Sequence, residues 1–160
     1  MEKEQVLSYL QNLCVKRECC RSEILRKAEK ALEGDRGQAR RMLESLVADR
    51  FVDDARYAAA FAREKSSLTG WGPDKIRYAL MMKGISKPDI AAALEGIDKD
   101  AAGTKMEKLV SAKCKSLQGD PYIKFKLIKY ALSRGYAYDD VASVVDRVLA
   151  ESEEKNDLVP

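Results

Sequence analysis

The chain has no histidine at all, and among its 160 residues there are only three phenylalanines, one tryptophan and four prolines. Without histidine the commonest general base and metal ligand is missing, so any catalysis would have to rest on carboxylates, lysine, tyrosine or cysteine. So few phenylalanines, tryptophans and prolines suit helices better than sheets. Long apolar runs are also missing: the stretch around Tyr57 to Ala62 is far too short to span a bilayer. The opening Met1-Glu2-Lys3-Glu4 lacks the basic-then-apolar order of a secretory signal. A cytoplasmic protein with no membrane partner is expected. The four cysteines, Cys14, Cys19, Cys20 and Cys114, include a vicinal pair and fit no zinc spacing, so they read as reduced structural thiols, with no metal and no cofactor expected.

What is present is helical pattern. A hydrophobic fraction of 46% beside 34% charged residues is globular composition. A chain of this length buries roughly two-thirds of its unfolded surface, which makes one ordinary domain or a few small ones without disulfides. Apolar residues recur every three or four positions, as in Val6, Leu7, Leu10, Leu13 and Ile24, Leu25, Ala28, Ala31, Leu32, and no segment alternates as a strand would. Nine short helices are predicted, near 4–17, 21–33, 36–49, 53–67, 73–83, 87–95, 99–117, 121–134 and 138–152. Gly34, Gly84 and Gly135 stand where a left-handed residue closes a helix. Pro73 and Pro121 stand in first turns, after Gly72 and Asp120 as N-caps. Ser86 to Asp89 forms a capping-box pattern, and Cys20 occupies an N-cap position with Glu23 as its partner. Asp53 caps the following helix, with Val52 and Tyr57 spaced as a staple.

The three closing glycines are 50 and 51 residues apart. An offset of 51 places Trp71 over Tyr122, Ile76 over Leu127, Met81 over Leu132, and Lys83-Gly84-Ile85 over Arg134-Gly135-Tyr136. Repetition at this period means repeated supersecondary units. The expected fold is all-α: an elongated, curved array of three tandem three-helix modules at 1–50, 51–97 and 98–152, with an acidic disordered tail at 153–160.

No catalytic constellation emerges. Asp53-Asp54 and Asp139-Asp140 lie at helix starts, where carboxylates complement the dipole. Gly70-Trp71-Gly72-Pro73 precedes a helix but lacks a Gly-Lys-Ser/Thr ending and a preceding strand, so no P-loop nucleotide site is expected there. Charge distribution says more. Segment 98–135 carries nine basic and four acidic side chains, net +5, and everything from 136 onward carries two against seven, net −5. A basic stretch beside an acidic one suits contact with a polyanion and a basic surface, or is an ordinary solvated face. Lys124 and Lys126 bracket Phe125, Lys129 adjoins Tyr130, and Lys75 and Arg77 follow Trp71. Cations beside aromatics can neutralise phosphates and stack on bases, although Trp71 and Tyr130 read equally as core anchors.

Asp53-Asp54-Ala55-Arg56-Tyr57-Ala58, the Gly70-Trp71-Gly72-Pro73 turn, Lys75-Ile76-Arg77 and Lys83-Gly84-Ile85 together resemble the central module of the RecX family. Arg17-Glu18 through Arg21-Ser22-Glu23-Ile24-Leu25 is similar to that family's first module. Cys20 stands where the family usually has serine, and the third module matches mainly by pattern. The resemblance implies a non-enzymatic regulator that lies in the groove of the RecA–DNA filament and depresses strand exchange and ATP hydrolysis. The implied partners are the RecA filament and single- or double-stranded DNA, touched weakly or through RecA, with the chain itself a monomer since no heptad seam is present. By position, the resemblance makes Arg56, Arg63, Lys65, Lys75, Arg77 and Lys83 contact candidates. Asp53, Tyr57, Phe61, Gly72, Ile76 and Gly84 would maintain the fold. Charge alone adds Lys124, Lys126, Lys129 and Arg134. The alternative is a helical nucleic-acid-binding protein with no recombinase partner.

Overall fold

A computed structural model describes residues 2–157. The fold is all-α. Among the described residues there are nine α-helices, one π-helical turn and no strand. In chain order these are α1 (Lys3–Lys16), α2 (Arg21–Ala31), α3 (Arg36–Ala48), α4 (Asp54–Glu64), the π-turn (Lys65–Thr69), α5 (Pro73–Met82), α6 (Lys87–Glu95), α7 (Lys99–Ser116), α8 (Ile123–Ser133) and α9 (Tyr138–Asp157). None is long and apolar enough to cross a membrane.

Local chemistry explains most of the ends. The Asp35 side chain accepts from the Gln38 N–H at 3.1 Å, and Asp98 accepts from Asp100 and Ala101 at 3.0 and 3.1 Å, so both supply N-caps. Gly34, Gly84 and Gly135 have φ of 88°, 77° and 95°, the left-handed closure expected of them. Three boundaries differ from the sequence reading. The fourth helix gives way at Lys65 to the π-turn. Asp120 takes the Tyr122 N–H at 2.8 Å, so Pro121 belongs to a turn and α8 starts at Ile123 rather than at 121. The segment expected as a disordered tail from 153 is instead helical as far as Asp157, continuing a run of good helix formers beyond buried Val148. Leu158 to Pro160 of that expected tail lie outside the described residues.

The residues pack into two compact units. The first takes in the chain up to Ala62 together with Ala79–Gly96, and the second takes in Arg63–Tyr78 together with the chain from Ile97 onward. Two of the boundaries fall inside α4 and α5, and the third falls between Gly96 and Ile97.

In the first unit α1, α2 and α3 present Val6, Leu10 and Cys14, Ile24 and Ala28, and Ala39, Met42, Leu43 and Leu46 to one core with Cys19 and Val52. The spacing of three and four is what puts these residues on single helix faces. Neighbouring carboxylates divide the capping work. Asp53 accepts from the Arg56 N–H at 3.0 Å and caps its own helix. Asp54 accepts from the Arg21 N–H at 2.8 Å and caps α2. The expected pairing of Glu23 with the Cys20 cap is not formed: Cys20 makes no side-chain cap, and Glu23 is bonded to Arg17. Burial pushes the Glu23 carboxyl up, but the Arg17 hydrogen bond and charge outweigh it and hold it low.

All four cysteines are free and buried. Burial, first of all, pushes the Cys19 thiol from 9.0 up to about 12. The unfolded thiol ionises near 9.0 and the folded one does not, so the contribution of Cys19 to stability is full below pH 9 and declines as pH rises toward about 12. We expect iodoacetamide at pH 8 to leave the native thiols unmodified and to label them on unfolding, checked by mass spectrometry. Rapid native labelling would contradict the burial.

In the second unit Met106, Val110 and Cys114 of α7, Leu127 and Ala131 of α8, and Val141, Val144, Val145 and Val148 of α9 enclose a second core with Tyr136. Each fully buried valine contributes about 1.5 kcal/mol or more through removal of apolar surface from water. The repeat extends to how turns are held. In the first unit the Ser22 hydroxyl donates to the Lys83 carbonyl at 2.6 Å. In the second, Gly72 and Asp74 N–H groups donate to the Arg134 and Gly135 carbonyls at 2.7 and 3.0 Å. Lys83-Gly84 and Arg134-Gly135 are the positions the 51-residue offset aligns.

Candidate functional site

The ten candidate cations fall into different circumstances, and their hydrogen bonds decide which can meet a partner. Arg56 serves the fold of the first unit. Its Nε donates to both Glu18 carboxylate oxygens at 2.9 and 2.7 Å, and one terminal nitrogen donates to the Arg50 and Phe51 carbonyls at 3.1 and 3.3 Å. A guanidinium with this many acceptors is a clamp. Lys83, in the same unit, places its ammonium 5.9 Å from the ring centroids of both Tyr57 and Phe61, which stack at 5.9 Å. Tyr57 is buried, and burial pushes its phenol up.

The other eight belong to the second unit. Arg63 is exposed with no ion pair among the described residues. Arg77 is exposed and pairs with Asp74 one turn away at 2.7 Å. Lys124 pairs with Asp146 at 3.1 Å, and Lys126 pairs with Asp120, whose carboxyl the Lys126 hydrogen bond holds below its usual value. Such solvated pairs are worth well under about 1 kcal/mol and yield readily to a stronger anion. Lys129 is exposed on the same helix. Beside these lysines Tyr122 and Phe125 are 69% and 66% exposed, so neither is a core anchor.

Arg134 is not a surface cation. It is half-buried, one terminal nitrogen donates to the Thr69 carbonyl, and its Nε is buried without a partner among the described residues. Lys65 and Lys75 hold their ammonium groups 4.8 and 4.7 Å from the Trp71 ring centroid. The turn between them is drawn tight. A Cβ on Gly72 would stand 2.4 Å from the Gly135 carbonyl carbon and oxygen, and one on Gly135 would stand 2.4 Å from the Lys75 Cβ. The buried Tyr136 hydroxyl donates to the Gly70 carbonyl at 2.8 Å. Ile76 is fully buried. Gly84, the counterpart of Gly135, has only an ordinary 4.0 Å contact with Ser22.

Sequence reasoning missed Lys105. A Cβ on Gly70 would be 3.5 Å from both the Lys105 Cε and an Arg134 terminal nitrogen, which places α7 and the end of α8 against the same turn. No motif marks Lys105, since only the fold brings it there. Lys113, also unremarked, lies 5.4 Å from the Tyr130 ring centroid.

Residues 53–94 match the model of a protein family described as RecX, second three-helix domain. A Regulatory protein RecX from Clostridium botulinum (strain Alaska E43 / Type E3) is 40% identical over 103 residues, 62% of this chain and 48% of that protein. One from Clostridium tetani is 33% identical over 113 residues, 68% and 51% respectively. The chain spans about half the length of the curated relatives it matches. A crystal structure of regulatory protein RecX superposes with a TM-score of 0.80 at 21% identity, covering 90% of this chain and 71% of that one. RecX from Lactobacillus salivarius superposes at 0.77 and 19%, covering 91% and 96%. At these identities the two structures speak for the fold.

Proposed function

Because this chain belongs to the RecX family, we propose that it is a regulator, not an enzyme, that binds the RecA filament in its groove and lowers RecA-catalysed strand exchange and ATP hydrolysis, with DNA touched alongside. The observation that carries the reading is the family match over residues 53–94. Repetition supports it physically. Similar modules in one chain can engage successive subunits of a filament, and linked contacts raise the effective affinity without any one strong site. Among the candidate cations of the matched stretch, Arg63 and Arg77 are exposed and open to a partner, whereas Arg56 is held by Glu18 and by two carbonyls.

The test is an ATPase titration of preformed RecA filaments. Substoichiometric protein is expected to depress DNA-dependent hydrolysis, and Arg63→Glu with Arg77→Glu to weaken that effect at least tenfold, while Arg56→Lys mainly lowers thermal stability. Full ATPase activity at saturating protein would overturn the reading. A second reading, a nucleic-acid-binding protein without a recombinase partner, is favoured by exposed Tyr122 and Phe125 among Lys124, Lys126 and Lys129. It predicts affinity for bare DNA that falls steeply with salt and a flatter salt slope when those lysines are removed. If their removal leaves DNA binding intact and RecA inhibition is lost, the second reading fails.

A further inference from the structure

We propose that the Gly70–Pro73 turn of the second unit, with Lys75, Lys105 and Arg134 around it, is a binding site for a phosphate group of a nucleotide, free or within a strand. Elements distant in sequence bring positive charge to this one turn. Lys65 from the π-turn and Lys75 from α5 approach the Trp71 ring to 4.8 and 4.7 Å. Lys105 from α7 and Arg134 after α8 both come within 3.5 Å of the Gly70 Cβ position. Like charges gathered this way repel, and among the described residues no carboxylate forms an ion pair with Lys75, Lys105 or Arg134. A bound anion would relieve that repulsion.

Two further observations point the same way. The Arg134 Nε is a buried donor without a partner, an uncommon and costly state. The π-turn lets the Lys65 carbonyl accept the Trp71 N–H at 2.8 Å, which holds the residue bearing one cation beside the indole. Single π-turns are rare and recur at functional sites.

The backbone narrows the kind of site. The N–H groups of Gly72 and Asp74 are taken by the Arg134 and Gly135 carbonyls, so no amide cradle is available and the side chains must hold the anion. Lysine ammoniums are compact charges without a fixed fork, and several of them suit the multiple charges and spread oxygens of phosphate better than a single planar carboxylate. The site deepens the DNA contact in the proposed function and rests on that reading for its natural source, but phosphate binding itself requires neither RecA nor DNA.

Trp71 is the chain's one tryptophan, so its emission reports on this turn alone. The experiment titrates the intact protein with inorganic pyrophosphate and, separately, with an oligothymidylate. It compares the parent with a Lys75→Gln, Lys105→Gln double variant and with Lys99→Gln as a surface control, and equilibrium dialysis serves as a second readout. Circular dichroism melting confirms that each variant folds. Both ligands are expected to change the emission saturably, the double variant to bind at least tenfold more weakly, and the control to match the parent. Its salt slope for the oligonucleotide should fall by roughly 1.4, about 0.7 for each phosphate contact removed from a single strand. Pyrophosphate binding without oligonucleotide binding would support the site and defeat the DNA contact. Oligonucleotide binding that the double variant leaves unchanged, with no pyrophosphate binding, would overturn the site while the DNA contact stands. Failure of both ligands to bind in both readouts would overturn the site as well.

Discussion

Replacing Gly72 with alanine is expected to destabilise the protein by about 3 kcal/mol, near the upper end of the usual cost of overpacking. The new methyl would stand 2.4 Å from the carbonyl carbon and oxygen of Gly135 and 2.5 Å from the Tyr136 nitrogen. These are backbone atoms, so no side chain can swing away to make room. Gly135 is crowded on its other side, where a Cβ built on it would stand 2.4 Å from the Lys75 Cβ and 2.6 Å from the Lys75 nitrogen. At this chain length the melting temperature should drop by roughly 6–12 °C. Two other glycines calibrate the measurement. Gly34 has φ of 88° and nothing within 4 Å of its Cβ position, so Gly34→Ala should cost only the left-handed strain of about 1 kcal/mol. Gly103 lies inside α7 with open space around it, so Gly103→Ala should raise stability by up to about 1 kcal/mol. Chemical denaturation of the three variants checks the set. A Gly72→Ala protein within about 1 kcal/mol of the parent would mean the two turns do not approach as closely as described.

Tyr136→Ala is expected to cost about 4 kcal/mol, and Tyr136→Phe about 1–2 kcal/mol, so that ring and hydroxyl can be separated. The ring is 6% exposed and belongs to the core of the second unit, while the hydroxyl donates to the Gly70 carbonyl at 2.8 Å in a buried setting. Removing only the hydroxyl leaves that carbonyl without its donor and fills the space with nothing. Removing the ring adds a cavity beside Leu127 and Val141. Burial also pushes the phenol up, so Tyr136 stays protonated and able to donate at pH values where an exposed tyrosine ionises. A Tyr136→Phe protein as stable as the parent would show that the hydrogen bond contributes nothing. Ile85, which the repeat aligns with Tyr136, has no hydroxyl, and the first unit answers with the Ser22 hydroxyl on the Lys83 carbonyl instead.

Expected and observed structure agree or differ according to the range of the forces. Helix identity and most helix ends follow from interactions spanning a turn or two: the spacing of Val6, Leu10 and Cys14, the Asp98 cap, and the left-handed φ of Gly34, Gly84 and Gly135. Those were readable. The partners of charged groups were not. Asp54 caps a helix that starts 33 residues earlier, Glu23 answers Arg17 in place of the Cys20 cap, and Arg56 closes on Glu18 at a separation of 38. Lys124 and Lys126 flank Phe125 along the chain, and the fold gives each a carboxylate, from α9 and from the turn before α8.

By itself the sequence determined an all-α chain, its three-helix period and its membership of a family, because apolar spacing, helix punctuation and an ordered motif are written along the chain. Only the tertiary structure decided which cations remain available, why Gly72 and Gly135 tolerate no side chain, and that Lys105 stands at the Trp71 turn. Each of these depends on approaches of a few ångströms between residues tens of positions apart, and periodicity along the chain carries no information about such distances.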